Sequence, residues 1–184
     1  DRPNVGRPSR VSQPGRSKLL SSLPKPAGSG MKFMMFDMRE YTDDTIAVYT
    51  KVTGCTKFKK ARTPFLNESS LPKADEEVVG ELKPNASQCL MKALWLARLS
   101  RPDVSKAIND LTTKVQSWSR NDDRRLFRIF CYLHTTRDHM LCGHVGDHAD
   151  KLYLRVYTDA DFCGDSGHTR STSGGFLALA GPNT

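Results

Sequence analysis

No acidic residue follows Asp165, no Cys-x-x-Cys pair occurs, and no apolar run approaches the thickness of a bilayer. The most apolar stretch, Cys89 to Leu99, is interrupted by Lys92 and Arg98 and falls well short of the ~20 residues needed to cross a membrane. The expectation is a chain without membrane insertion. The five cysteines, at 55, 89, 131, 142 and 163, are odd in number and widely spread. That argues against a disulfide framework and for reduced thiols inside the cell, in cytoplasm or nucleus. The Asn-x-Ser sequences at Asn67 and Asn85 then read as chance. Apolar residues are also scarce: the hydrophobic share is 38% and the mean hydropathy −0.52. The 184 residues allow one domain, or one plus a piece of another.

Residues 1–30 contain no aromatic residue, yet hold five of the ten prolines. Such a basic, Pro/Ser-rich segment buries too little apolar surface to offset its chain entropy, and we expect a disordered tail. Its six basic residues against Asp1 account for +5 of the net charge of +8. Excess positive charge suits nucleic acid or another anionic surface, while charge runs also serve simply as solvated leaders. The Arg- and Ser-rich, acid-poor composition fits an organellar transit peptide too, but there is no initiator Met and no clear amphipathic helix. A fragment boundary or linker accounts for it equally well.

Beyond the tail, residues 31–38 read as a short strand and 40–53 as a helix ended by Gly54, with Ile46, Tyr49 and Val52 at three-residue spacing. Pro64, Pro72, Gly80 and Pro84 mark 61–84 as an extended connection. Three helices follow. The first runs from Asn85 to Leu99, with Leu90, Leu94 and Ala97 on one face and Met91, Trp95 and Arg98 beside them. The second starts at Arg101-Pro102-Asp103, because proline's missing N–H costs nothing at a first helical position; Val104, Ile108, Leu111 and Val115 form its apolar stripe. The third takes Asn121 as N-cap, with Asp122 and Asp123 at its positive end and Leu126, Ile129, Phe130 and Leu133 inward. These stripes are expected to be core. Met140 to Cys142 then reads as a strand and Gly143 to Asp150 as a polar turn. Residues 152–157 alternate as a strand with Leu152, Leu154 and Val156 on one, buried, face. Gly175 to Leu179 is a further strand after a Gly/Ser/Thr loop.

Three patterns carry possible chemistry. Asp159 and Asp161 stand at the end of a strand, where two carboxylates can converge on a hard divalent cation, although Asp-x-Asp is also common in turns. Tyr41-Thr42-Asp43-Asp44 matches the Tyr-x-Asp-Asp signature of reverse transcriptases, but its flanks are not two apolar strands. It is expected to lie on a helix by coincidence. His139, Cys142, His144 and His148, with His134 nearby, are zinc-ligand types in no common zinc spacing, and surface or packing roles are expected. Cys131 is expected to be buried rather than reactive.

The segment Leu154-Arg155-Val156-Tyr157-Thr158-Asp159-Ala160-Asp161-Phe162, with Gly164-Asp165 and Arg170-Ser171-Thr172-Ser173-Gly174-Gly175-Phe176, resembles the start of the ribonuclease H domain of copia-type retrotransposon Pol polyproteins. Leu94-Trp95-Leu96-Ala97, Arg101-Pro102-Asp103-Val104, the helix from Arg128 to Thr136 and Thr63-Pro64-Phe65 resemble the stretch between polymerase and ribonuclease H. The resemblance is strong over 85–179, weaker over 31–84 and absent over 1–30. Together with the tail 1–30 read from composition, it implies an α+β architecture: a mainly helical reverse-transcriptase thumb or connection over 31–138 and a truncated ribonuclease H-like mixed sheet over 139–184.

The resemblance further implies that Asp159 is a catalytic metal ligand, with Asp161 in the same motif, and that Mg²⁺ is the ion in a complete domain. Phe162 stands where the family usually has Trp, and Cys163 replaces a small residue. Such a site needs further acidic residues on later elements. With none after Asp165, the chain alone is expected not to cleave RNA. The partners implied are an RNA–DNA hybrid or other nucleic acid and the remainder of the polyprotein. The alternative expectation is a co-opted, non-catalytic structural or interaction protein derived from a transposon, with an organellar location if the tail is a transit peptide.

Overall fold

A computed structural model of the protein describes residues 31–161 and 172–184. The expected disordered tail, 1–30, and the Gly/Ser/Thr loop before the last strand lie outside the described residues. The chain divides into two units, one spanning 33–143 and one containing 144–184.

In the first unit, β1 (Lys32–Phe36) pairs with β2 (Leu141–Val145), the strands' outer ends falling at the unit's limits. Between them lie α1 (Arg39–Thr53), α2 (Lys83–Leu99), α3 (Ser105–Thr112) and α4 (Arg120–Thr135). Gly54 ends α1 in the left-handed conformation (φ 69°), where a residue with a side chain would be strained although the space around it is open, and its N–H closes the helix on the Thr50 carbonyl. The core is built from Ile46 and Tyr49 of α1, Leu90 and Leu96 of α2, Ile108 and Leu111 of α3, and Leu126, Ile129 and Phe130 of α4. The rings of Tyr49 and Phe130 stack at 4.1 Å, which joins α1 to α4. Burying each such side chain contributes about 1.5–3 kcal/mol. This packing is what holds the eight-residue α3 in shape, since an isolated helix of that length is unstable in water.

Several helix boundaries differ from the sequence expectation: α2 opens at Lys83 rather than Asn85, and α3 and α4 are bounded differently as well. Ser119, not Asn121, caps α4: its hydroxyl accepts from the Asp122 N–H while the Asp122 carboxylate accepts from the Ser119 N–H, a reciprocal capping box. Asn121 sits inside the first turn, buried, and donates to the Pro72 carbonyl and the Glu76 carboxylate. Pro102 opens a 3-10 turn (Pro102–Val104) rather than the helix itself, and α3 stops at Thr112. There Thr112 and Thr113 turn their hydroxyls back onto the carbonyls of Asn109 and Asp110. Such local bonds compete with helix continuation, and Val115 reaches the core from the 3-10 turn that follows.

Two polar junctions lock the helices together. Asp123 accepts from the Trp118 indole (2.6 Å) and from the backbone N–H groups of Glu81 (2.7 Å) and Leu82 (3.2 Å), so α4 satisfies the donors that precede α2. Gly80 passes beneath this junction. A Cβ there would lie 2.5 Å from the Ser119 carbonyl oxygen and 2.7 Å from the Trp118 ring. The second junction is Arg101, 1% exposed. Its guanidinium donates to both Asp103 oxygens, to the Thr136 carbonyl (3.0 Å) and to the Thr136 hydroxyl (2.6 Å), and lies over the Tyr132 ring. Nearby, the Ser100 hydroxyl donates to the Phe36 carbonyl and accepts from the Leu141 N–H, joining β1 and β2 to the end of α2.

In the second unit, β3 (Tyr153–Asp161) pairs antiparallel with β4 (Thr172–Ala180), Tyr153 opposite Ala180 and Asp159 opposite Gly174. Asp147 accepts from the backbone and side-chain amides of Asn183 and from the Thr184 hydroxyl, clasping the end of the chain to the turn before β3. The architecture is α+β, but no mixed sheet forms among the described residues; both sheets have two strands. The expected buried face of β3 is also corrected. Leu154 is 67% and Val156 61% exposed, and their partners Leu179 and Leu177 are exposed with them. Two paired strands have only each other's edges to cover and leave both faces open to solvent.

Arg101→Met should lower stability by about 3 kcal/mol. That is the low end for removing one partner of a buried ion pair, because the Asp103 side chain keeps 36% of its surface; urea unfolding at neutral pH checks it. A second prediction concerns acid. Burial pushes the Asp103 carboxyl up, but the hydrogen bonds and charge of Arg101, with the Tyr132 hydroxyl, outweigh it and hold the group below the usual carboxylate range. A depressed carboxyl contributes stability that is complete above its unfolded pKa, about 3.9, and is lost as pH falls through the lower folded value. Stability should therefore drop below about pH 4, and Asp103→Asn should lower neutral stability while flattening that acid limb in melts taken against pH.

Candidate nucleic-acid interface

Helix α2 contains Lys83, Lys92 and Arg98 and no Asp or Glu. Pro84 sits in its first turn, where a proline is tolerated. Leu90, Ala93, Leu96 and Ala97 turn into the core, which forces the complementary stripe outward. Ser87, Met91, Trp95 and Leu99 recur every fourth residue on that exposed side, with Gln88 and Arg98 beside them. Met91 is 47% and Trp95 53% exposed, against 1% for Trp118, the second tryptophan of the chain. At the edge of the ridge the Lys92 ammonium lies 4.8 Å from the centre of the Tyr41 ring. Chemically this is a rigid ridge of polarizable and aromatic surface with positive charge and no acid on its own helix. It is suited to bases and sugars of an anionic polymer. The sequence placed Met91, Trp95 and Arg98 beside the core face without assigning them a use. The missing acidic residues over 83–99 were the legible signal.

The carboxylates singled out from the sequence lie elsewhere. Asp159 is on β3, exposed, on the face that also carries Tyr153, Arg155 and Tyr157 and opposite to that of Leu154 and Val156. Arg155 donates to the hydroxyls of both tyrosines. Asp161 is the last residue of β3, in register with Thr172. Among the described residues no three His, Cys, Asp or Glu side chains come together as a metal-binding group. A single strand carboxylate does not meet the coordination that Mg²⁺ demands, so the described residues do not fit a Mg²⁺ centre.

Tyr41-Thr42-Asp43-Asp44 lies on α1. The hydroxyls of Thr42 and Thr45 bond back along the helix, to Met38 and Tyr41, and the two aspartates are exposed. His148 pairs with Asp150 and His134 stacks on Phe58. Cys131 is buried, and burial raises its thiol pKa. Asp159→Asn should leave stability within about 0.5 kcal/mol of wild type, as for an exposed residue with no ion pair among the described residues. Thermal melts with and without Mg²⁺ check this. A metal-dependent rise in wild type that the variant lacks would reveal a site.

No protein-family model matches the chain, and no solved structure does. Among curated proteins, the retrovirus-related Pol polyprotein from transposon RE2 of Arabidopsis thaliana is 28% identical over 141 residues. The match takes in 77% of this chain and 9% of that polyprotein. The chain is thus similar to a retrotransposon Pol polyprotein, of whose length it spans less than a tenth.

Proposed function

We propose that this chain is a transposon-derived polyprotein segment that grips an RNA–DNA hybrid, with the exposed ridge of α2 as its contact surface. The reading takes the class of protein from the Pol polyprotein it resembles. It takes the contact from one observation, the acid-free helix that exposes Met91, Trp95 and Leu99 along its length. An apolar ridge meant for a neutral partner has no need of a uniformly basic helix. Lys83, Lys92 and Arg98 meet phosphates and release their counterions, while Trp95 and Met91 lie against the sugars and base edges of the groove. In this reading the chain contributes grip. Cleavage of the hybrid's RNA strand, with Asp159 as one ligand of Mg²⁺, belongs to a complete ribonuclease H domain, which the described residues do not form.

The two tryptophans provide a direct test, because Trp118 is buried and Trp95 is not. Titrating a short RNA–DNA hybrid should quench the Trp95 emission. Trp95→Ala should weaken binding by about five-fold or more, the loss of one aromatic contact of about 1 kcal/mol. An unchanged affinity in Trp95→Ala, with the fold intact by circular dichroism, would overturn the reading.

A further inference from the structure

The first unit carries a second acid-free surface, on different residues. From Thr45 to Asn67 there are five basic residues, Lys51, Lys57, Lys59, Lys60 and Arg62, and no Asp or Glu. All five are exposed, and among the described residues none forms an ion pair. They are held in place by what lies between them. Phe58 stacks on His134 at 4.9 Å and 17°, and on Phe127 at 6.4 Å. Ala61 is 1% exposed and its N–H donates to the Thr135 hydroxyl (3.0 Å). Arg128 of α4 donates to the Thr63 carbonyl (2.8 Å). The segment is thus pinned along α4 by its apolar residues, and its cationic side chains are displayed outward from a fixed backbone.

Beside it, α1 and α4 enclose an open cleft of about 480 Å³ lined by Thr50, Lys51, Phe58, His134 and Arg137, with Asp43 at the rim. His134 is exposed, and one face of its ring rests against Phe58. The imidazole is therefore a backed aromatic plate within a cleft that is also lined by two cationic side chains, Lys51 and Arg137. Asp43 stands 4.0 Å from Arg137, both more than half exposed. A pair so long and so wet binds weakly and leaves the guanidinium's remaining donors for an incoming oxyanion.

We propose that this face binds single-stranded nucleic acid. One unpaired base stacks on His134 in the cleft, its flanking phosphates meet Lys51 and Arg137, and the strand continues along Lys57, Lys59, Lys60 and Arg62. The ligand class rests on the nucleic-acid reading above; the site and the strandedness are new. A cleft with an aromatic plate selects an unstacked base, which a duplex does not offer, while the outer row of cations tracks a flexible backbone. This is the combination of stacking platform and electrostatic groove that non-sequence-specific single-strand binders use.

The test is fluorescence anisotropy of the whole chain with a labelled oligo-dT of about 16 nucleotides, within the range of single-strand site sizes, at several salt concentrations. Replacing Lys57, Lys59, Lys60 and Arg62 together with Gln should reduce the slope of log affinity against log salt by about 3, at about 0.7 per phosphate contact. His134→Ala should weaken binding about five-fold or more, and His134→Phe, which keeps a ring on Phe58, should stay near wild type. If His134→Ala loosens the fold, Lys51→Gln with Arg137→Gln probes the same cleft through exposed residues and should also weaken binding. Trp95→Ala should not change single-strand affinity, so failure here and failure of the hybrid reading are separate results. An unchanged salt slope in the fourfold variant would overturn the proposal. So would equal binding by His134→Ala and His134→Phe, or displacement of the oligonucleotide by poly-glutamate as readily as by unlabelled oligo-dT.

Discussion

A guanidinium with almost no contact with water has to be satisfied on every side, and that constraint organises the helical unit. Arg101 finds a carboxylate two residues ahead, a carbonyl and a hydroxyl at the end of α4, and an aromatic face in Tyr132. The turn after α2 is thereby fixed to the last turn of α4, although 35 residues separate Arg101 from Thr136. Where α4 ends decides where β2 begins, and the adjacent Ser100 hydroxyl bonds both β1 and β2. At the other end of α4, Asp123 performs the corresponding task for the start of α2. Between these polar clamps lies the apolar core, with the stacked rings of Tyr49 and Phe130 within it.

The helical part was legible because its information is local and periodic. The stripe Leu126, Ile129, Phe130, Leu133 names a core face unaided, and Gly54 names a helix end. The start of α4 differs because two residues of the same capping type compete there. Ser119 and Asn121 are both good N-caps, and the choice falls to Ser119 because Asp122 stands three residues on to complete the box. Asn121 is then drawn to Pro72 and Glu76, nearly fifty residues away in sequence, which no local pattern announces. The hairpin was misread for another reason. Alternation on β3 shows which residues share a face, but burial depends on what lies over that face, and Leu154 and Val156 have no cover among the described residues.

The candidate surfaces were harder to read than the carboxylates because they are defined by omission. Asp159 attracts notice as a charged residue in a motif, whereas a helix without acid attracts none. Yet charge of one sign over 45–67 and again over 83–99 is what remains when no local partner neutralises it. Elsewhere on the same unit the arginines are engaged, Arg125 by Glu68 and Asp122 and Arg124 by Asp75. The unit therefore has cations that hold the fold together and cations turned mainly to solvent, and both proposed contact surfaces draw chiefly on the second group, with Lys92 against Tyr41 and Arg137 near Asp43 as the exceptions.

Gly80 extends the argument to sequence change over time. Its constraint is one of space, since the Ser119 carbonyl, the Trp118 ring and the Asp123 carboxylate all stand closer to its α-carbon than a methyl group permits. Any side chain there would have to push apart the helix cap and the indole that Asp123 holds. Positions 80, 118, 119 and 123 are consequently not free to drift independently. A substitution at one of them is tolerated only with a matching change at the others, so the four behave as a single heritable character spread across two helix starts.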